Sequence, residues 1–333
     1  MKFGVLQFFS WPQRRGPLSA VYERAMERIR IMDHSGYDGV WLAEHHFTDY
    51  SVCPSIHMMA LHVAHQTKNL RIGTAVSLAP FYHPLRLAEE IALLDVLTNG
   101  RVNWGVGRGF ESTEFNTFGI PLAESQGRFR EAVAIVIQAW TQDKLNWGGE
   151  HWQFNDVEVL PKPLQAPHPP VWVAASSPPA IEWAAQQGHS ILMDPHSPHA
   201  AIAQKWQTYH DVLLANGHSI AGRDIPMARL IAVGKTATEA ADIARRGAEW
   251  TVGAYETPVT NVELGGGNSQ TTHPVKNPVD QYVDDIILHG TPEQLVDQIQ
   301  ELQDDMRLNY LLCAPLSHGS FTLFTEQVLP KLL

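Results

Sequence analysis

The chain has 333 residues, of which 44% are hydrophobic and 18% charged, and it carries a formal net charge of −11 at pH 7. That length buries a large core and fits either one large α/β barrel or two smaller domains. The acidic balance argues against nucleic acid or an anionic membrane as the main partner, and no apolar run is long enough to span a bilayer.

From the N-terminus, strand and helix patterns alternate. Strand candidates are 3–9, 39–43, 70–78, 101–106, 170–175, 190–193, 227–233 and 309–314, each short and rich in Val, Ile, Leu or Trp, as parallel strands buried on both faces are. Because the chain opens on the strand-like Phe3–Phe9 run, no signal peptide is expected. Helical stretches fall at 20–35, 55–66, 84–97, 125–142, 179–187, 199–215, 237–252 and 292–305, and a closing helix at 321–332. Ser125 stands at a helix start, and Thr291-Pro292-Glu293 pairs a capping threonine with proline at the first helical position. Eight such units predict a single (β/α)8 TIM barrel of the α/β class. An open doubly wound sheet would need a Gly-rich dinucleotide turn after an early strand, and none follows Phe9 or Ala43.

Two insertions interrupt the alternation, one after strand four and one after helix seven. Residues 143–169 carry Trp147, Gly148-Gly149, Trp152 and several prolines, which suits a small β excursion. Residues 253–290 contain Gly265-Gly266-Gly267-Asn268-Ser269, the composition of a lid loop. The 84–97 helix is apolar over most of its circumference, so it is buried on two sides, either in the core or in a homodimer interface. Cys53 and Cys313 are isolated, with neither metal spacing nor a disulfide framework. No metal is expected, and a reducing cytoplasm is the default.

Chemistry gathers where barrel active sites do, at the C-terminal ends of the strands. The second strand runs into Glu44-His45-His46, placing Glu44 and His46 on one side and His45 on the other. A neutral imidazole is a proton donor and acceptor at physiological pH. His83 follows the third strand. After the fourth, Arg108 stands between Gly107 and Gly109, where small neighbours admit an anion to a bidentate guanidinium. After the fifth, Ser176-Ser177 precede Pro178-Pro179, either as an ordinary helix cap or as hydroxyl and amide donors to the same anion. Phe8, Trp11, Phe110 and Tyr255 would give an apolar pocket if they face inward.

Five segments now occur in order: Trp41-Leu42-Ala43-Glu44-His45-His46-Phe47-Thr48, Gly73-Thr74-Ala75, His83 through Glu90, Leu93-Leu94-Asp95, and Gly100-Arg101 through Gly109. Together they resemble the bacterial luciferase-like flavin monooxygenases, with weaker agreement through Glu182–Ala185 and His289–Glu293. The resemblance implies one barrel domain over residues 1–333 that binds reduced FMN supplied by a separate flavin reductase. It implies that oxygen adds to the flavin C4a and that the peroxyflavin attacks a small apolar aldehyde, ketone or hydrocarbon. His45 matches the family's catalytic histidine and Arg108 its phosphate-binding arginine. Glu44, Ser176 and Ser177 fall at further cofactor positions, and Ala75-Val76 where the family has a non-prolyl cis peptide beside the flavin ring. His83 joins the substrate-pocket candidates. Luciferase proper has a reactive cysteine where this chain has Gly107, so neither thiol sensitivity nor light emission is expected. A deazaflavin-dependent hydride-transfer oxidoreductase and a non-catalytic flavin-binding homologue are the alternatives on the same fold.

Overall fold

The structure, a computed structural model, describes residues 1–255, 277–306 and 308–333. The strands are β1 (Lys2–Gln7), β2 (Gly39–Leu42), β3 (Arg71–Thr74), β4 (Ser77–Leu78), β5 (Val102–Gly107), β6 (Leu145–Gly148), β7 (Gln153–Val157), β8 (Val171–Ala174), β9 (Ser190–Leu192), β10 (Pro226–Val233), β11 (Leu288–Gly290) and β12 (Tyr310–Pro315). The helices are α1 (Ser19–Met32), α2 (Ile56–Gln66), α3 (Pro84–Leu97), α4 (Ser112–Phe118), α5 (Ser125–Thr141), α6 (Pro178–Gln186), α7 (His199–Ala215), α8 (Ala237–Tyr255), α9 (Pro278–Asp285), α10 (Pro292–Met306), α11 (His318–Leu323) and α12 (Leu329–Leu332). Short 3-10 turns complete the chain, and the expected closing helix is helical throughout, with a π-turn at Phe324–Val328 in its middle. The architecture is α/β, and every strand pairing outside the β6–β7 hairpin is parallel among those described. The chain divides into two compact units, Gln7–Arg30 with Gly39–Ala174, and Met1–Leu6 with Ile31–Asp38 and Ala175–Leu333.

In the first of these units the strands lie in the order β2-β3-β5-β8, with β4 on β5. Val40, Trp41, Leu42, Ile72, Val102, Trp104 and Val106 are fully buried or nearly so, as in strands covered on both faces. Trp41 stands edge-on to Trp172 at 5.2 Å. That indole fits because Gly73 has no side chain, since a Cβ there would lie 2.3 Å from the Trp41 ring. A Cβ on Gly105 would lie 1.9 Å from the Thr74 carbonyl oxygen. The Thr74 hydroxyl uses this close approach, donating to the Gly105 carbonyl at 2.6 Å and accepting from its amide at 2.9 Å. The stretch 70–78, expected as one strand, is instead two. Ala75–Val76 interrupts it with a cis peptide, the Ala75 amide turning to the Leu42 carbonyl at 2.7 Å. At the opposite end, Arg101 donates to the Ala64 and Leu70 carbonyls, and buried Asp95 accepts from the Leu164 and Gln165 amides. Those two motif residues thus serve the fold. The β6–β7 hairpin lies within the 143–169 excursion.

The second unit orders its strands β11-β10-β12-β1, and β9 touches β10 through a bridge between Met193 and Met227. All eight residues of β10 are buried. Thr291 heads α10 in a reciprocal cap, its hydroxyl accepting from the Gln294 amide while the Gln294 side chain accepts from the Thr291 amide. The 253–290 segment is not loop throughout. Residues 253–255 end α8, 278–285 form α9 and 288–290 form β11. Asn277 caps α9 by accepting from the Val279 amide at 2.9 Å, with Pro278 at its first turn, and Val283, Ile286, Ile287 and Leu288 are buried. The remainder of the expected lid, 256–276 with its glycine run, lies outside the described residues. Among the described residues no helix is long and apolar enough to cross a membrane.

The Gly105 contact is with backbone, which cannot swing aside. Gly105→Ala is therefore expected to destabilise the protein by about 1–3 kcal/mol, read as a lower urea midpoint with an unchanged slope.

Candidate active site

At the end of β2 the backbone leaves the sheet with its alternation intact. His46 Nε2 lies 3.0 Å from Glu44 Oε1, on the side that the spacing predicts. Glu44 is 3% exposed, and its carboxylate also accepts from the Tyr82 hydroxyl at 3.0 Å and the Leu78 amide at 3.4 Å. Both of its oxygens are thus engaged by protein donors. The His46 ring is enclosed edge-on by Phe118 and Phe81 at 4.9 and 6.1 Å. Burial and the neighbouring Glu44 carboxylate push the Tyr82 phenol above its ordinary value.

His45 has a different environment. Its amide donates to the Cys53 carbonyl at 3.3 Å, and its ring lies between Phe8, nearly parallel at 6.5 Å, and Tyr50, edge-on at 5.3 Å. The side chain is 11% exposed, and its Nδ1 is 3.8 Å from Glu114 Oε1. Glu114 is itself buried at the start of α4 and accepts from the His46 amide at 2.8 Å. Glu111, which precedes α4, has its carboxyl raised by burial and by Glu114, with His45 opposing. One imidazole is therefore hydrogen-bonded to a buried carboxylate, while the other has one ring nitrogen facing Glu114 at a longer distance.

At the end of β5, a Cβ on Gly107 would fall 2.4 Å from Val76 Cγ2, so only glycine lets Val76 pack there. The next residue, Arg108, is half-buried, and burial lowers its pKa. Its Nη1 donates to the Ser125 hydroxyl at 3.4 Å, and no carboxylate lies within ion-pair distance of it among the described residues. Ser125, expected as a cap, instead spends its own proton on the Leu122 carbonyl at 2.6 Å, which leaves an oxygen lone pair for Arg108. In the other unit, Ser177 precedes α6 without a side-chain cap, so its hydroxyl is not used by the helix. Ser176 beside it is half-buried.

Of the expected pocket residues, Phe8 is brought against His45. Trp11 donates its indole N–H to the Gly16 carbonyl at 3.2 Å, and exposed His83 meets Phe154 at 5.7 Å. Phe110 is half-buried, and the Tyr255 side chain lies outside the described residues. Tyr82, Tyr50, Glu111 and Glu114 join the cluster without having been singled out in the sequence. The one local signal was two acids three apart, directly after Arg108-Gly109-Phe110. Among the described residues no three acidic, histidine or cysteine side chains gather as a metal site, and burial pushes the Cys53 thiol up to about 12.

The chain matches the family model of the luciferase-like monooxygenases over residues 1–307. It is 35% identical over 177 residues to the oxygenase component of the flavin-dependent trigonelline monooxygenase of Acinetobacter baylyi, covering 53% of this chain and 49% of that one. The match thus spans about half the length of that relative. The alkanal monooxygenase alpha chain of the Kryptophanaron alfredi symbiont is 26% identical over 356 residues, covering 100% of this chain and 98% of that one. Among solved structures, monooxygenase RslO1 from Streptomyces bottropensis superimposes with a TM-score of 0.87 at 26% identity over the whole of both chains. Two others are alike in fold. They are the oxygenating constituent of 3,6-diketocamphane monooxygenase from Pseudomonas putida with FMN (TM-score 0.78, 18% identity, 100% and 99% covered) and an F420-dependent secondary alcohol dehydrogenase (0.77, 17%, 98% and 97%).

The two histidines should separate in stability measurements. His46→Ala strands a buried carboxylate without one of its donors and should cost about 1.5–3 kcal/mol, whereas His45→Ala should cost less than about 1 kcal/mol. Thermal unfolding of the two variants side by side checks this, and equal losses would contradict the division of roles.

Proposed function

Taking the chain as what residues 1–307 make it, a member of the luciferase-like monooxygenase family and so a flavin-dependent monooxygenase, we propose that it is the oxygenase component of a two-component system. In this reading it takes reduced FMN from a separate reductase and oxygenates a small apolar aldehyde, ketone or hydrocarbon. The observation that carries it is Arg108, a half-buried guanidinium at a strand end whose partner is a neutral hydroxyl. A half-buried cation whose partner among the described residues is a hydroxyl suits a phosphate. FMN offers one, and the glycine at 107 keeps Val76 close to that strand end, so the residues present fit the cofactor. The expectation that Ser176 and Ser177 add donors to the phosphate rests on the sequence resemblance.

When bound, the reduced flavin supplies two electrons to dioxygen, one oxygen atom going to the substrate and the other leaving as water. The chain's own residues supply position and protons. Ala75 and Val76 form the segment offered to the ring. His45 holds or releases a proton at the nitrogen that does not face Glu114, and Phe8 and Tyr50 shield it from water. Glu44 acts through its contacts, holding Tyr82, Leu78 and His46 in place. The face of α2 and α3 that leaves Met58, Leu61, Leu93, Val96 and Leu97 exposed supports a homodimer formed there.

Arg108→Ala should weaken reduced FMN by about 1.5–3 kcal/mol and leave reduced riboflavin nearly unaffected, because only FMN presents the phosphate. Anaerobic titration of both flavins checks it, and equal losses would return Arg108 to a structural role. With saturating photoreduced FMN and a panel of aldehydes and ketones, oxygen uptake should accompany product. His45→Ala should slow product formation by about 10²–10⁴-fold. Hydride transfer to a deazaflavin without oxygen uptake would overturn the reading.

A further inference from the structure

Between α2, α3 and β4 lies a series of polar groups that the proposed reaction does not use. His57 of α2 is 8% exposed, and both of its ring nitrogens are engaged. Its Nδ1 lies 2.9 Å from Glu90 Oε2 on α3, and its Nε2 lies 3.0 Å from the Ser77 hydroxyl on β4. Glu90 is held in turn by Arg86 at 3.0 Å, and hydrogen bonding from His57 lowers the Glu90 carboxyl below its ordinary range. A carboxylate can only accept, so Nδ1 carries the proton. Nε2 shares its hydrogen bond with the Ser77 hydroxyl, which is wholly buried.

Three polar side chains are a costly way to fill the space beside a helix, where a leucine would pack without desolvation. What they provide is direction. Ser77 directly follows Ala75–Val76 and pairs, with Leu78, against Val106 and Gly107 of β5. Ala75 is held by its amide at Leu42, Val76 by contact with Gly107, and Leu78 by its amide at Glu44. The Ser77 hydroxyl is the side-chain anchor between them. The His57 ring also lies 5.2 Å from the ring of Tyr82, whose hydroxyl reaches Glu44.

We propose that His57, oriented by Glu90, is a positioning residue that hooks Ser77 and thereby fixes the Ala75–Val76 segment against the bound flavin ring. This rests on the reading of the site as a flavin site. Ser77→Ala removes the hook and keeps the His57–Glu90 pair. His57→Leu removes both contacts, and His57→Gln keeps an amide at the position of Nε2. Each variant is titrated anaerobically with reduced FMN and reduced riboflavin, then assayed for the share of oxygen released as peroxide.

Ser77→Ala and His57→Leu should weaken both flavins alike, by about three- to tenfold, and raise the peroxide share. The preference for FMN over riboflavin should stay as in the unmodified protein, and His57→Gln should recover most of the loss. Lowered melting temperatures with unchanged flavin affinity and peroxide share would overturn the inference and leave His57 a tether between helices. If the unmodified protein binds neither flavin, or Arg108→Ala fails to discriminate them, the flavin reading itself falls.

Discussion

The burial of the Glu44 carboxylate is the constraint from which the rest of the site follows. An ionised carboxyl at 3% exposure is stable only when hydrogen bonds replace the water it has lost. Here the donors come from three places in the chain: the Tyr82 hydroxyl, the Leu78 amide and the His46 imidazole. Each donor is thereby fixed relative to β2. His46 is consumed in this way, while the His45 ring is turned to the other side among Phe8, Tyr50 and Glu114.

A second constraint is the close approach of backbones around Trp41. Gly73 makes room for the indole and Gly105 for the Thr74 carbonyl, so β2, β3 and β5 lie closer than side chains would allow. The Thr74 hydroxyl then links β3 to β5 just before the chain reaches Ala75–Val76. Close packing around Trp41 and Thr74 therefore sets where Ala75–Val76 leaves the strand. Arg108 emerges at the end of the same strand, half-buried and without an acid beside it among the described residues. A cation desolvated without a carboxylate partner is stable enough next to a hydroxyl, but its charge is complemented only by an anion.

The alternation of strands and helices is legible in the residues alone, as are the strand ends that carry Glu44-His45-His46 and Arg108. So are the opposite facing of His45 and His46 and the glycine-flanked arginine. All of these depend on periods of two or a few residues, or on one residue's own chemistry, and such patterns survive in a linear reading. The helical part of 253–290 was hidden by the glycine run before it, although Asn277-Pro278 is a legible helix start. Ser125 has the pattern of a cap, and a linear pattern cannot show that Arg108 claims its oxygen. Folding alone brings Tyr82 and Leu78 to Glu44, Glu114 to His45, and His57 between Glu90 and Ser77. Those partners stand between 20 and 69 residues apart. Nothing in the local chemistry of a buried glutamate or histidine specifies which distant donor will meet it. That choice is made when the helices close over the sheet and every buried polar group must find a partner.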